Sequence, residues 1–171
     1  QTCALPISDD RFVDVTDAGA DLVIRIGRLS ASSLVVRKLG RDRIVVCGSP
    51  EYLARAGVPR TADELGRHAL LHYSLLPLER EWRFEGPSGL HAVTGRCALS
   101  GNSGSLLRRV AIEGLGVTIV PYYMVAADVA AGRLVIVPPR PVHDEVGIYA
   151  VFPQGRQVPR RVAAIVDRLA R

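Results

Sequence analysis

The sequence predicts an α/β fold organised as lobes about a hinge, on three observations. Apolar, strand-like runs alternate with helical segments along the chain. That order builds a largely parallel sheet covered on both sides by helices. Breaks near Gly40 and at Pro138, Pro139 and Pro141 bracket a central block. A block entered and left through two extended segments is the plan of a two-lobed binding protein, with ligands held between the lobes near strand ends and helix N-termini.

Residues 10–17 read as a short amphipathic turn or helix carrying Phe12, Val13 and Val15, stopped by Gly19. Residues 20–26 are a strand of mostly apolar residues ended by Gly27. An extended piece at 34–38 and a strand at 43–47 follow. Ser49-Pro50-Glu51 is a helix start: a serine cap, proline in the first helical position and an acid in the first turn. Gly57 ends that helix. Thr61 to Glu64 form a capping box for a second short helix, closed by Gly66. Residues 69–73 read as a strand. Residues 82–84 and 92–94 form short strands around the turn at 86–89. Residues 100–105 are a small polar loop before a helix at 106–113, in which Leu106, Leu107, Val110 and Ala111 recur at helical spacing. A strand at 117–120 ends at Pro121. A helix at 122–131, strands at 134–137 and 146–152, and a last helix from Val158 complete the pattern. That helix places Val162, Ile165, Val166 and Leu169 on one face.

Composition narrows the function classes. The 171 residues are 48% hydrophobic and 23% charged, a globular balance with enough length for one ordinary domain or two small lobes. The net charge is +5, and Lys38 is the single lysine among 22 basic residues. Two readings of that charge stand: a basic face for nucleic acid or acidic ligands, or arginines spread over solvated faces. No basic run exceeds two residues and no aromatics interleave them, which favours the second. Cys3, Cys47 and Cys97 match no metal spacing, and an odd count closes no disulfide framework. Cys47 and Cys97 are expected to be buried free thiols, in keeping with a reducing compartment. No apolar run approaches the roughly 20 residues a membrane helix needs. Residues 1–7 (QTCALPI) carry no charge and no secretory pattern; residues 1–8 read as a segment foreign to the fold.

Catalytic constellations are not evident. There is no phosphate-binding glycine loop with Lys and Ser/Thr, no HExxH and no G-x-S-x-G elbow. His68 and His72 are four apart but fall where a strand is expected, with no acidic third ligand nearby. Ser103 or Ser105 as a nucleophile lacks a positioned base. The polar loop at 100–105 supports two readings. Its free N–H groups and small polar side chains suit an anion, and Asn102 or Ser103 also suits a plain helix cap.

Several segments in order resemble one family. These are Ala20 to Leu29 (ADLVIRIGRL), Ser32 to Gly40 (SSLVVRKLG), Ser49 to Leu53 (SPEYL), Gly101-Asn102-Ser103 before a helix, Gly114 to Pro121 (GLGVTIVP), Gly132-Arg133-Leu134 and Ile148 to Pro153 (IYAVFP). Together they resemble the effector-binding domain of LysR-type transcriptional regulators over about residues 9–171. The resemblance implies two Rossmann-like lobes of the periplasmic-binding-protein type 2 plan, the first incomplete: 9–42 with 140–171, and 43–139. It implies no enzyme activity and no cofactor or metal. The expected partners are a small, often anionic effector, DNA through an N-terminal winged helix-turn-helix that lies outside this sequence, and further copies of the chain in a dimer or tetramer. The expected location is the cytoplasm. A solute-binding protein of a transport system is the alternative on the same plan. Carried over by position, the effector-binding residues are Asn102 and Ser103 from the central lobe, Ile26, Gly27 and Arg28 from the first, Tyr149 near the hinge, and Tyr122 after Pro121. For Ile26 and Tyr149, core packing is an equal reading.

Overall fold

The computed structural model describes residues 20–27, 35–74, 82–86, 89–93, 95–141, 145–153 and 158–170. The expected helix at 10–17 lies outside them. The main sheet runs β1 (Val23–Gly27), β9 (Glu145–Phe152), β2 (Val35–Gly48), β7 (Val117–Pro121), β3 (Leu70–Tyr73) and β6 (Cys97–Gly101), with β8 (Val135–Val137) also on β2. A hairpin of β4 (Trp82–Gly86) and β5 (Gly89–Val93) stands apart and buries Trp82 and Phe84.

Among the described residues only β3 pairs in parallel, with β6 and with β7; the pairs among β1, β9, β2, β7 and β8 are antiparallel. The largely parallel expectation is corrected accordingly. β2 enters the central block and β9 leaves it, so the two traverse the junction in opposite directions and pair antiparallel. The two extended pieces expected at 34–38 and 43–47 are one strand of 14 residues. Leu39 is taken up as a bulge between Lys38 and Gly40, so the glycine does not end the strand. β2 pairs with β9 as far as Arg43 and with β7 from Ile44.

The helices begin where their caps predict. Ser49 Oγ accepts the Tyr52 N–H at 3.2 Å at the head of α1 (Pro50–Ala56), and Gly57 closes it at φ 88°. Thr61 Oγ1 accepts the Glu64 N–H at 3.2 Å at the head of α2 (Ala62–Leu65), while the Glu64 carboxylate reaches back to the Arg60 N–H at 2.7 Å. α3 (Gly104–Ile112) buries Leu107 and Ala111 and leaves Leu106 exposed. The helix expected at 122–131 is a 3-10 turn (Tyr122–Met124) followed by α4 (Ala126–Ala130). The break is at Val125, whose φ of −117° departs from the helix. The Tyr123 N–H is held by the Asp42 carboxylate at 2.8 Å.

The core of the central block joins Val46, Leu71, Val117, Ile119 and Val120 from the sheet to Leu65, Leu107, Val125 and Leu134. A smaller cluster seats Val162 and Val166 of α5 (Arg160–Leu169) on Ala150 and Phe152. Ile165 and Leu169, expected on the same buried face, are exposed. Cys47 is buried as expected. Cys97 is exposed, because it lies on β6, a strand at the end of the sheet path whose small residues hide the strand pattern.

Candidate functional site

Two groups of side chains form the candidate site, joined by β2. The first lies at the carboxyl ends of the parallel strands. β3 and β6 run side by side to Tyr73 and Gly101, and the Ser74 N–H closes the pair on the Gly101 carbonyl at 3.0 Å. His72 Nδ1 and Ser100 Oγ, directly cross-strand, are 3.2 Å apart. The chain then turns through Asn102, which is exposed, and Ser103, which is half-buried. Ser103 Oγ accepts the Leu106 N–H at 3.4 Å, so its capping role is real and weak in geometry. Gly104 opens α3 against the 3-10 turn: a Cβ there would lie 2.3 Å from Met124 Cε. That contact brings the head of α3 to the turn that Tyr122 begins.

Tyr122 is half-buried, and the Arg43 guanidinium lies over its ring at 4.3 Å. Arg43 and Asp42 belong to β2 at the point where its pairing passes from β9 to β7. The hinge strand therefore grips the 3-10 turn twice, through Asp42 on the Tyr123 N–H and Arg43 on the Tyr122 ring.

The second group lies on the sheet face opposite α5. Gly27, Gly147 and Arg41 are side by side across β1, β9 and β2, and Arg25, Tyr149 and Lys38 form the next row. Gly27, Lys38, Arg41, Glu145, Gly147 and Tyr149 line an open groove of about 390 Å³. Arg41 meets Glu145 at 3.4 Å, an exposed pair of modest strength. Ile26 is on the other face of β1 from Gly27 and packs against the central core. Arg28 is outside the described residues.

The structure thus places Asn102, Ser103 and Tyr122 at one end of the central block and brings Gly27 and Tyr149 into one groove, apart from Ile26. Lys38 and Arg41 were missed by sequence reasoning. A register through the bulge at Leu39 is needed to see that they flank Tyr149 and Gly147, and no local pattern encodes it.

Two buried polar clusters support this frame. Asp128 is fully buried on α4 and is bonded by Arg108 of α3, through Nε and at 2.9 Å through Nη2, and by Arg133 at 2.7 and 2.8 Å. The Arg108 hydrogen bond, then Arg133, holds its carboxyl below the usual range against the opposing effect of burial. The triad ties α3, and with it the Asn102–Ser103 turn, to α4. Tyr52 Oη accepts the Ala69 N–H at 3.0 Å and lies 3.2 Å from His68 Nδ1. Burial pulls the His68 pKa below its ordinary value, with Glu64 acting in the opposite sense. His68 and His72 are thus engaged by Tyr52 and Ser100, and among the described residues no three His, Cys, Asp or Glu gather as a metal site would need. No helix among the described residues is long and apolar enough to cross a membrane.

Comparison with known proteins bears directly on this arrangement. The family model described as the LysR substrate binding domain matches residues 6–171. An uncharacterized HTH-type transcriptional regulator of Escherichia coli, YhjC, is 34% identical over 165 residues, covering 95% of this chain and 55% of the relative. The HTH-type transcriptional activator AaeR of Escherichia coli is 32% identical over 159 residues, covering 91% and 50%. The chain spans about half the length of the curated relatives it matches. Among solved structures, the regulatory domain of CrgA, a LysR-type transcriptional regulator from Neisseria meningitidis, superimposes with a TM-score of 0.82 at 25% identity, covering 95% of this chain and 79% of that one. Full-length AphB, a Vibrio cholerae virulence activator, gives 0.78 at 26% identity, covering 96% and 56%. The matched span and the shared fold place this chain in the LysR substrate-binding domain family, the effector-binding domain of LysR-type transcriptional regulators.

Proposed function

We propose that this chain senses a small anionic metabolite for a DNA-binding regulator, with the effector held between a first lobe of 9–42 and 140–171 and a second of 43–139. One observation carries the reading. The Asn102–Ser103 turn, the head of α3 and Tyr122 gather at the carboxyl ends of β3, β6 and β7, where open α/β sheets bind ligands. Gly27 and Tyr149 are the first lobe's contribution, and β2, through Asp42 and Arg43, is the element by which occupancy biases the angle between lobes. Arg28 belongs to the same proposed pocket by its place in the sequence. In the whole regulator, DNA contact falls to a winged helix-turn-helix, assembly to further copies of the chain, and the site of action to the cytoplasm. The chain carries no catalytic step in this reading, and a transport role is disfavoured by relatives that are regulators.

The test is inducer binding by calorimetry and a promoter reporter in the full-length regulator, with Asn102→Ala and Ser103→Gly. Glycine keeps most of the cap, where alanine loses about 1 kcal/mol. Inducer affinity is expected to fall about tenfold for each, the worth of roughly one polar contact, with little change in melting temperature. Unchanged affinity in both variants refutes the assignment.

A further inference from the structure

We propose that Asp42 and Arg43 form a side-chain clamp on the 3-10 turn at Tyr122–Met124, and that this clamp is the joint through which the head of α3 and the hinge strand β2 move each other. The proposal rests on the reading that the Asn102–Ser103 turn at that head belongs to the effector site.

The register shows where the clamp sits. β2 pairs with β7 down to Ile44 opposite Pro121. Continued by two residues, that antiparallel register would set Arg43 opposite Tyr122 and Asp42 opposite Tyr123. The strand stops instead at Pro121, and the chain coils into the 3-10 turn, which the Val125 N–H closes on the Tyr122 carbonyl at 3.0 Å. Side chains of β2 take over at the same two positions. The Asp42 carboxylate accepts the Tyr123 N–H at 2.8 Å, and the Arg43 guanidinium lies 4.3 Å from the centre of the Tyr122 ring. Successive residues of a strand project to opposite faces, so the turn is held from both. On the other edge of β2 the same two residues remain in the ladder with β9, opposite Val146 and Glu145. Asp42 and Arg43 thus belong to β9 by their backbone and to the turn of the central block by their side chains.

The far side of the turn meets α3. A Cβ on Gly104 would lie 2.3 Å from Met124 Cε and 2.8 Å from Sδ. Just before it, Ser103 holds the Leu106 N–H through Oγ at 3.4 Å and the Leu107 N–H through its carbonyl at 3.1 Å. The head of α3, Met124, Tyr123 and Asp42 are therefore successive links. Side-chain contacts at an exposed junction open more readily than a buried ladder, so this link yields before the β2–β7 pairing does. A displacement of the α3 head pushes Met124 and loads the clamp. By reciprocity, opening the clamp loosens the α3 head.

The test is amide hydrogen exchange, read residue by residue by NMR in this 171-residue chain with no ligand added. Asp42→Ala is expected to speed exchange at Tyr123 about tenfold, the loss of one charge-assisted hydrogen bond at an exposed site. Arg43→Met should speed it about threefold, the worth of an exposed cation–π contact. Both should also speed Leu106 and Leu107, and leave unchanged Leu53 of α1, whose N–H is held by the Ser49 carbonyl at 3.0 Å. Asp42→Asn keeps one carbonyl acceptor and should fall between Asp42→Ala and the wild type. In the reverse direction, Gly104→Ala crowds only the flexible tip of Met124 and should speed exchange at Tyr123. Acceleration confined to Tyr123, or no response of Tyr123 to Gly104→Ala, overturns the coupling. Equal acceleration at Leu53 reduces the clamp to general stability and overturns it as well. Arg43 is exposed, so Arg43→Met keeps the test open if Asp42→Ala fails to fold. In the full-length regulator, Asp42→Ala should shift inducer-free promoter output about fivefold or more, the low end of allosteric coupling, with Asp42→Asn restoring part of it. Unchanged output refutes the regulatory role. Neither measurement uses an inducer, so their outcome is separate from the affinity assay on Asn102→Ala and Ser103→Gly by which the effector reading stands or falls.

Discussion

Replacing Asp128 by asparagine tests the buried triad that fastens α3 to α4. The carboxylate is fully buried, while Arg108 and Arg133 retain 36% and 51% exposure of their side chains. On substitution both guanidinium groups can turn to water, so the cost stays below the roughly 3–5 kcal/mol of stranding a buried charge. What is lost is a set of charge-assisted hydrogen bonds, each worth roughly 1.5–3 kcal/mol and not additive, and the amide keeps one acceptor. A net of about 2–3 kcal/mol follows, or about 5–10 °C in melting temperature for a chain of this size. The pH dependence has a fixed sign. The Asp128 carboxyl is depressed in the folded state, so its stabilisation is present above the unfolded pKa near ~4 and lost as pH falls through the folded value. Thermal unfolding of the wild-type chain and Asp128→Asn from pH 7 down to pH 2.5 should show the gap at neutral pH and its narrowing in acid. A gap below about 0.5 kcal/mol at pH 7, smaller than the typical buried hydrogen-bond effect, or one that persists unchanged at the lowest pH, refutes the account.

Two further outcomes follow from burial. Burial, and secondarily the Asp128 charge, pushes the Cys47 thiol up to about 12, while Cys97 is exposed; thiol labelling at pH 8 with peptide mapping should modify Cys97 in the native chain and Cys47 only on unfolding, and comparable rates would contradict the structure. Gly116 packs so closely on β3 that a Cβ would lie 2.3 Å from the Ala69 carbonyl oxygen; since backbone cannot swing away, Gly116→Ala should cost about 1–3 kcal/mol, and an unchanged denaturation midpoint would show that the approach is not tight.

Local chemistry wrote much of this fold legibly. Ser49-Pro50, Thr61 and Gly57 mark helix ends by what their side chains or φ angles satisfy, and the runs at 70–73, 117–120 and 135–137 are strands because their residues are apolar and extended. Other features were illegible for a physical reason in each case. β6 is built of small residues and exists because β3 pairs with it. The 3-10 turn at Tyr122 depends on a carboxylate 81 residues away. The exposure of Ile165 and Leu169 depends on what packs beside α5, which helical periodicity does not state.

For the candidate site the division is similar. Asn102 and Ser103 leave a local trace as a polar turn before a helix, whereas Gly27, Tyr122 and Tyr149 are candidates only by their positions in the family resemblance. The grouping of these residues leaves no local trace. Pairing register, a non-local quantity set by which strands meet and where a bulge falls, put Lys38 beside Tyr149 and Arg41 beside Gly147. By itself the sequence determined most of the elements, their order and the family resemblance, since capping, periodicity and turn chemistry act within a few residues. The tertiary structure decided strand direction, the continuity of the hinge strand and the charge facing the groove, because those depend on backbone hydrogen bonds between segments about a hundred residues apart.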